Sequence, residues 1–184
     1  MNEVKNNRNE DEGMTNTLQI KLLSDNATKP KRAYDSAGYD IYAAETVILE
    51  PQEKKLIATD LAVNIPQGYV GLLTSRSGVS SKTALEVETG KIDAGFQGHM
   101  KINIKNDFPM SENDHEQDFF LTIEQKAIEA DRAHIKLGTY KIQKGDRLAQ
   151  LVVVPIYTPE LEPVEEFESE TARGTKGFGS SGTR

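Results

Sequence analysis

The C-terminal stretch from Ala172 to Gly182 combines residue types that could bind a phosphorylated ring. Its four glycines let backbone N–H groups approach anionic oxygens closely, because glycine has no side chain to block the approach. Arg173 and Lys176 add positive charge, and Phe178 offers a ring on which a base can stack. This composition indicates nucleotide capture, although a solvated, unstructured tail can have the same composition.

Two common phosphate-binding folds do not account for this stretch. Residues 177–182 match the pattern G-x-G-x-x-G, but such a loop needs a strand before it and a helix after it. In this sequence only Thr183 and Arg184 follow, and Lys176 is misplaced for a P-loop lysine. We therefore do not expect a Rossmann fold or a P-loop.

Four further motifs carry residues suited to phosphate chemistry. They span residues 37–44, 75–79, 90–98 and 145–151. Arg76, Ser77 and Gly78 combine a planar donor fork, a hydroxyl and an unobstructed N–H. Asp93 could orient a water molecule and accept its proton. From its immediate neighbours alone, Asp93 is better explained as a carboxylate that caps a turn.

Composition narrows the class of protein. A chain of 184 residues suits one domain, and the sequence has no cysteine, no secretory leader and no long apolar run. We expect a cytoplasmic protein with no disulfide and no membrane contact. The formal charge of −7 disfavours direct nucleic-acid binding, which needs broad basic faces. The three histidines lack zinc-ligand spacing.

The hydrophobic pattern predicts an all-β barrel or sandwich, because short runs with period two alternate with turn residues. The runs are 18–22, 47–49, 56–65, 69–73, 102–104 and 148–156. Residues 1–16 are polar and are expected to form a disordered arm, in which Met14 could be an internal start.

One segment, residues 107–137, interrupts this rhythm and is too long for a plain loop. The spacing of its apolar residues predicts a short amphipathic helix near 123–135. Phe108, Phe119 and Phe120 are expected to be exposed among acidic residues. The insert is then either a surface elaboration or a docking surface for a partner protein.

The four motifs and the tail, in this order and ending in Arg-Gly-x-x-Gly-Phe-Gly-Ser, resemble the five motifs of the homotrimeric dUTPase family over nearly all of residues 17–184. Temperate-phage members look most similar. The resemblance implies a β-barrel like a jelly roll over residues 17–161, with a short helical insert. It also implies a homotrimer with exchanged C-terminal strands, in which a flexible arm, residues 162–184, closes over a neighbouring active site.

The resemblance implies hydrolysis of dUTP to dUMP and pyrophosphate, by water attack on the α-phosphorus, which limits uracil in DNA and supplies dUMP. The resemblance also implies that Mg²⁺ takes part chiefly as the ion bound to the triphosphate of the substrate. Asp93 and Gln150 match the family's catalytic positions. Asp40 either influences Mg²⁺ indirectly through its water molecules or holds its own motif together. Arg147 would serve mainly in the trimer contacts or in organising the tail.

The substrate positions follow from the same resemblance. Arg76, Ser77 and Gly78 would hold the α- and β-phosphates. Phe96, where the family usually has tyrosine, would pack on the deoxyribose, unless it is an ordinary core aromatic. The main chain of the 90–101 hairpin would select uracil, and the tail would hold the base and the terminal phosphates. The remaining positions are Gly90, Lys91, Ile92, Met100 and Lys101 in the hairpin, and Arg173, Phe178, Gly179, Ser180 and Ser181 in the tail.

Two alternatives remain open at this stage. The insert could bind a repressor protein, as in temperate-phage relatives, with or without catalysis. A relative that deaminates dCTP would share the barrel, but it needs an added acid or base near the pyrimidine. The only candidate glutamates there are Glu86 and Glu88, just before the hairpin motif.

Overall fold

The computed structural model describes residues 17–110, 116–131, 134–169, 171–172 and 174–175. Over these residues the chain forms strands and one four-residue helix, so the predicted all-β fold is confirmed. The elements are β1 Gln19–Leu22, β2 Tyr39–Tyr42, β3 Val47–Leu49, β4 Lys54–Asn64, β5 Tyr69–Ser75, α1 Ser77–Ser80, β6 Leu85–Val87, β7 Gly90–Ile92, β8 Met100–Asn106, β9 Glu116–Gln117, β10 Phe119–Leu121, β11 Ala127–Glu129, β12 Ile135–Lys136, β13 Tyr140–Ile142 and β14 Arg147–Pro155. The disordered arm predicted for residues 1–16 lies outside this range.

Three four-stranded sheets share one hydrophobic core. Their strand orders are β1-β4-β8-β6, β2-β14-β5-β7 and β11-β10-β13-β3, and β12 pairs with β9 in a separate ribbon. Alternate side chains of the long strands point inward, as the period-two pattern predicts. Ile41, Ile57 and Ile142 represent the three sheets in the core and are fully buried. The arrangement is a barrel of the jelly-roll type.

Strand β14 lies at the centre of the sheet that carries most of the predicted site. It pairs with β5 on one side and with β2 on the other. On the β2 side the register shifts between Arg147 and Ala149, which is the signature of a β-bulge. Gln150 then faces Asp40 directly across the ladder.

The insert is not helical where a helix was predicted. Residues 119–129 form a hairpin in which Phe120 faces Ile128, and Gln125 reverses the chain with a φ of 63°. Strand β10 also pairs in parallel with β13 through Leu121 and Tyr140, so the hairpin extends a barrel sheet. This pairing overrides the helical spacing, because it buries Phe120 completely. The expectation that Phe120 is exposed was therefore wrong.

The predicted hairpin over residues 90–101 is also wrong as a hydrogen-bonded strand pair. Strand β7 pairs with β5, whereas β8 pairs with β4 and β6 in another sheet. The connection between them passes from one sheet to the other through a turn in which Gly95 has a φ of 90°. The Phe96 N–H donates to the Asp93 carbonyl across this turn at 3.1 Å.

After β14 the chain leaves the barrel. The described residues from 158 to 169 form no strand or helix, and their side chains are exposed. Three large apolar residues of this arm are about nine-tenths exposed: Tyr157 at 89%, Leu161 at 92% and Phe167 at 88%. In the part of the chain that the structure describes, no helix is long and apolar enough to cross a membrane.

Candidate active site

The carboxylate of Asp40 is the centre of the candidate site. Asp40 lies on β2 and is only 6% exposed, a low value for a charged residue. Its Oδ1 accepts a hydrogen bond from Arg76 Nε at 2.8 Å and one from Gln150 Nε2 at 3.3 Å, and its Oδ2 lies 3.4 Å from an Arg147 guanidinium nitrogen. A buried carboxylate needs such partners, since an unpaired charge would be strongly disfavoured. Asp40 therefore joins three motifs in one cluster.

Arg76 sits where β5 gives way to α1. Its backbone is still extended, with φ −78° and ψ 134°, and its carbonyl accepts the Val79 N–H at 2.9 Å to start the helix. Val79 is buried and anchors the short helix in the core. Ser77 and Gly78 remain exposed at its start, so they are accessible to a ligand.

Ser36 belongs to this cluster but was missed in the sequence. Its hydroxyl accepts from Gln150 Nε2 at 3.5 Å, and its backbone carbonyl accepts from Arg32 Nε at 2.6 Å. It lies one residue before the motif that begins at Ala37. The sequence would have indicated Ser36 only if that motif had been extended by one residue at its start.

The turn before Arg147 is held by Asp146. Its Oδ2 accepts the Gln143 N–H at 2.8 Å, and Gly145 supplies the positive φ of 92° that the turn requires. Burial raises the pKa of the Asp146 carboxyl, and the nearby Glu124 carboxylate raises it further. Arg147 itself is largely exposed beyond its ion pair with Asp40.

Asp93 and Phe96 lie together on a second patch of the surface. Asp93 follows β7 and is exposed, and the Phe96 ring is 45% exposed. The ring packs against Gly98, where an added Cβ would lie 2.8 Å from a ring carbon. Phe96 is thus a surface aromatic, so the alternative that it is an ordinary core aromatic is wrong.

The two patches are far apart within one chain. Ile92, the residue before Asp93, faces Gly71 on β5, whereas Arg76 follows the other end of that strand. About five residues of extended chain separate Gly71 from Arg76, or about 16 Å at about 3.3 Å per residue. One chain therefore does not bring Asp93 together with Arg76 and Gln150.

The other predicted residues fall into three groups. Gly90 and Lys91 lie at the surface of β7, and Ile92 is nearly buried there. The Met100 side chain is buried, and its carbonyl accepts from the Thr59 hydroxyl at 2.5 Å, while Lys101 is exposed. The tail residues lie outside the described range: Arg173, Phe178, Gly179, Ser180 and Ser181.

The described residues contain no group of three or more histidine, aspartate or glutamate side chains that could hold a metal ion. The oxygens of Asp40 are both used by cationic or amide donors, as given above. This donor set suits a structural carboxylate better than a direct metal ligand. A cation could be held at this site by a polyphosphate ligand.

Comparison with known proteins identifies the family. The family model described as dUTPase matches residues 25–111 and 136–182, and residues 112–135, within the insert, lie outside both ranges. The probable deoxyuridine 5'-triphosphate nucleotidohydrolase of Schizosaccharomyces pombe is 35% identical over 168 residues, 89% of this chain and 96% of that protein.

Two solved structures are more similar. The dUTPase of Staphylococcus bacteriophage 80alpha, solved with dUPNHPP, is 62% identical with a TM-score of 0.86, over 91% of this chain and 99% of that one. A dUTPase variant from phage phi11 of S. aureus, solved with a structural Mg(II) ion, is 59% identical with a TM-score of 0.80, over 84% of this chain and 100% of that one. The chain therefore belongs to the dUTPase family, and it is a dUTP diphosphatase that hydrolyses dUTP.

Proposed function

We propose that this enzyme cleaves dUTP to dUMP and pyrophosphate through water attack on the α-phosphorus, with Asp93 as the general base. The observation that carries the proposal is the cluster around Asp40, which joins residues of three family motifs on neighbouring strands. A positioned carboxylate that takes the proton of the attacking water accelerates such a step by about 10² to 10⁴-fold. Asp93 is exposed and accessible to such a water.

On the phosphate side, Arg76 and the start of α1 bind the α- and β-phosphates. Asp40 takes the Nε of Arg76, which leaves the terminal nitrogens of the guanidinium to face a ligand. The Ser77 hydroxyl and the Gly78 N–H add donors on the exposed side of α1. Gln150, fixed between Asp40 and Ser36, orients the attacking water beside the phosphates.

On the nucleoside side, the exposed ring of Phe96 packs on the deoxyribose and leaves no space for a 2′-hydroxyl. The main chain of Gly90, Lys91 and Ile92 selects uracil, together with main-chain groups of Met100 and Lys101. The Met100 carbonyl accepts one hydrogen bond from Thr59, and its second lone pair could accept from a base.

A homotrimer would complete the site. The separation of about 16 Å along β5 is too long for a base and its phosphate ligands to act on one phosphorus. Each chain would therefore supply Asp93 and Phe96 to one site and Arg76 and Gln150 to another. The tail would close over a third chain's substrate, with Arg173 on the γ-phosphate, Phe178 stacked on uracil, and Gly179, Ser180 and Ser181 around the terminal phosphates.

Mg²⁺ would arrive with the substrate, bound to the triphosphate oxygens. This fits the lack of a metal-binding cluster among the described residues and the full use of the Asp40 oxygens. The related phi11 variant contains a structural Mg(II) ion, which supports an affinity of this fold for the cation. Because its substrate belongs to the nucleotide pool, we place the enzyme in the cytoplasm, which is the host's if a phage encodes it.

The test is pyrophosphate release from dUTP in the presence of Mg²⁺. Release from dTTP, dCTP and UTP is measured in parallel and should be much lower. Asp93→Asn should lower kcat for dUTP by about 10² to 10⁴-fold. Asp25→Asn, on an exposed turn, is the matched control and should retain full activity. Full activity of Asp93→Asn would exclude this carboxylate as the base.

We also propose a second function, in which the insert binds a partner protein. The related phage 80alpha dUTPase has been described as one of the phage dUTPases that control transfer of virulence genes. In this chain the insert presents exposed acidic residues on and around its hairpin: Glu116, Asp118, Glu124, Glu129 and Asp131. This surface suits a protein with a basic patch, such as a repressor.

Charge reversal is a better test of this second function than deletion, because the insert contributes Phe120 to the interior. Asp118→Lys combined with Glu129→Lys should weaken binding to a purified repressor and spare dUTP hydrolysis. Unchanged repressor binding by the double variant would show that this acidic surface is not the contact.

A further inference from the structure

The turn of the insert hairpin, residues 122–126, is closed by several hydrogen bonds. The Thr122 N–H donates to the Lys126 carbonyl at 2.9 Å, and the Lys126 N–H donates to the Thr122 hydroxyl at 3.1 Å. Gln125 adopts a φ of 63° and donates its own N–H to the Thr122 carbonyl at 3.0 Å. These bonds fix the direction in which the Gln125 side chain leaves the turn.

That side chain ends on a hydroxyl shared with another part of the chain. Gln125 Nε2 donates to the Tyr140 hydroxyl oxygen at 3.1 Å. The Ala84 N–H donates to the same oxygen at 3.2 Å. Tyr140 is 2% exposed, so this shared hydroxyl has little access to water that could replace a lost partner. The insert and the segment around Ala84 thus meet at one buried atom.

The segment before Ala84 carries the proposed phosphate-binding helix. The Thr83 N–H and hydroxyl both donate to the Val79 carbonyl, at 3.0 and 2.8 Å, at the end of α1. The Leu85 N–H in turn donates to the Thr83 hydroxyl oxygen at 3.0 Å. A shift at Ala84 would therefore be transmitted to α1, which presents Ser77 and Gly78.

A weaker electrostatic link runs from the same turn towards the Asp40 cluster. Glu124 pairs with Lys126 at 2.5 Å, and this pair, followed by the more distant Arg147 guanidinium, lowers the pKa of Glu124. Arg147 pairs with Asp40. Glu124 makes no direct contact with that cluster among the described residues, so the hydrogen bond of Gln125 is the structural link.

We propose that Gln125 of the insert is a positioning residue, which fixes α1 for phosphate binding through the Tyr140 hydroxyl. This inference rests on the proposed function, because it takes α1 to be the phosphate-binding element. It makes the insert a part of the catalytic framework.

The test uses Gln125→Leu and Tyr140→Phe in the full-length enzyme. Gln125→Leu removes only the donor, and Tyr140→Phe removes the shared acceptor. Each should weaken dUPNHPP binding by about 3 to 10-fold, the effect of one net hydrogen bond, and raise KM for dUTP with little change in kcat. The affinity for dUMP, which lacks two phosphates, should change less. The double variant should be no weaker than Tyr140→Phe, since loss of the Tyr140 hydroxyl already removes the contact with Gln125 as well as that with Ala84.

Glu129→Gln, on the same hairpin but with an exposed side chain, is the matched control and should bind dUPNHPP as the wild type does. Wild-type affinity in both test variants would overturn the proposal. An equal loss for dUPNHPP and dUMP, together with a lower Tm, would also overturn it, because it would show a general loss of stability. Failure of the wild-type enzyme to bind dUPNHPP would instead contradict the proposed function.

Discussion

Arg147 and Gln150 lie three residues apart on β14, yet both donate to the carboxylate of Asp40. In a regular strand, residues three apart point to opposite faces. The register shift between Arg147 and Ala149 inserts one extra residue and brings both side chains to the same face. The bulge is thus the local feature that brings Arg147 and Gln150 to Asp40, on the proposed phosphate side of the site.

Asp40→Asn is the direct test of this cluster. The variant keeps the shape of the side chain but loses the charge that holds Arg76 and Arg147. We expect kcat/KM for dUTP to fall by about 10 to 100-fold, because one charge-assisted hydrogen bond is worth about 1.5 to 3 kcal/mol. Steady-state pyrophosphate release measures this change.

Asp35→Asn, on the exposed loop before β2, is the control for the loss of one negative charge near the site. It should leave kcat/KM within about twofold of the wild type, since surface substitutions are usually worth less than about 0.5 kcal/mol. If Asp40→Asn also kept wild-type kcat/KM, the cluster would have no part in binding phosphates.

Much of the barrel could be predicted from the sequence, because apolar and polar residues alternate clearly in a strand that has one buried face. The run from Leu56 to Ile65 predicted β4, and the run from Leu148 to Ile156 predicted β14. The bulge was missed, although it left a signal. Leu148 and Ala149 are consecutive apolar residues between polar neighbours, and both are fully buried.

Features that depend on long-range pairing were not readable. The spacing of Phe120, Ile123 and Ala127 fits a helix, and only the open edge of β13 decides in favour of a hairpin. The contact between Gln125 and Tyr140 likewise has no local signal. Arg76, Gln150 and Asp40 were singled out because their motifs are local, whereas the hydrogen bonds that join them depend on the sheet order.

Asp146→Asn should change the dependence of stability on pH. Burial raises the pKa of Asp146 above its ordinary value of 3.8, so the folded state binds this proton more tightly than the unfolded state. The contribution of Asp146 to stability is therefore fully present below pH 3.8 and is lost as pH rises through the folded-state pKa. At pH 7 the charged group is unfavourable, and asparagine keeps an acceptor for the Gln143 N–H.

We expect Asp146→Asn to be more stable than the wild type at pH 7, because asparagine carries no charge that burial would disfavour. The difference should shrink as pH falls towards 4. Urea unfolding at several pH values measures it. A difference that is constant with pH would mean that the carboxyl does not titrate abnormally.

Two truncations separate the roles of the C-terminal arm. Tyr157, Leu161 and Phe167 are large apolar side chains that stay exposed in one chain, which favours burial against a neighbouring subunit. Removal of residues 157–184 eliminates all three side chains and should convert the proposed trimer to a monomer in light scattering. Removal of residues 173–184 alone should keep the proposed trimer and lower kcat/KM. An oligomeric state that is the same before and after the longer truncation would exclude the arm from assembly.

Gly138→Ala should loosen the junction between the insert and the barrel. Gly138 has a φ of 86°, and an added Cβ would lie 2.2 Å from the Phe108 ring. Its carbonyl also accepts from the buried Asn106 side chain at 2.9 Å, so the backbone there cannot easily shift. Gly68→Ala is the matched control, because Gly68 has a similar φ of 79° and open space around it.

Both variants carry the backbone strain of a positive φ, which costs about 1 kcal/mol, but only Gly138→Ala adds a collision with a ring. We expect the free energy of unfolding to fall by at least about 1 kcal/mol more in Gly138→Ala than in Gly68→Ala. Denaturant unfolding gives this difference directly. Equal losses in the two variants would mean that Phe108 moves aside without cost, and that the start of the insert is not fixed to the barrel at this point.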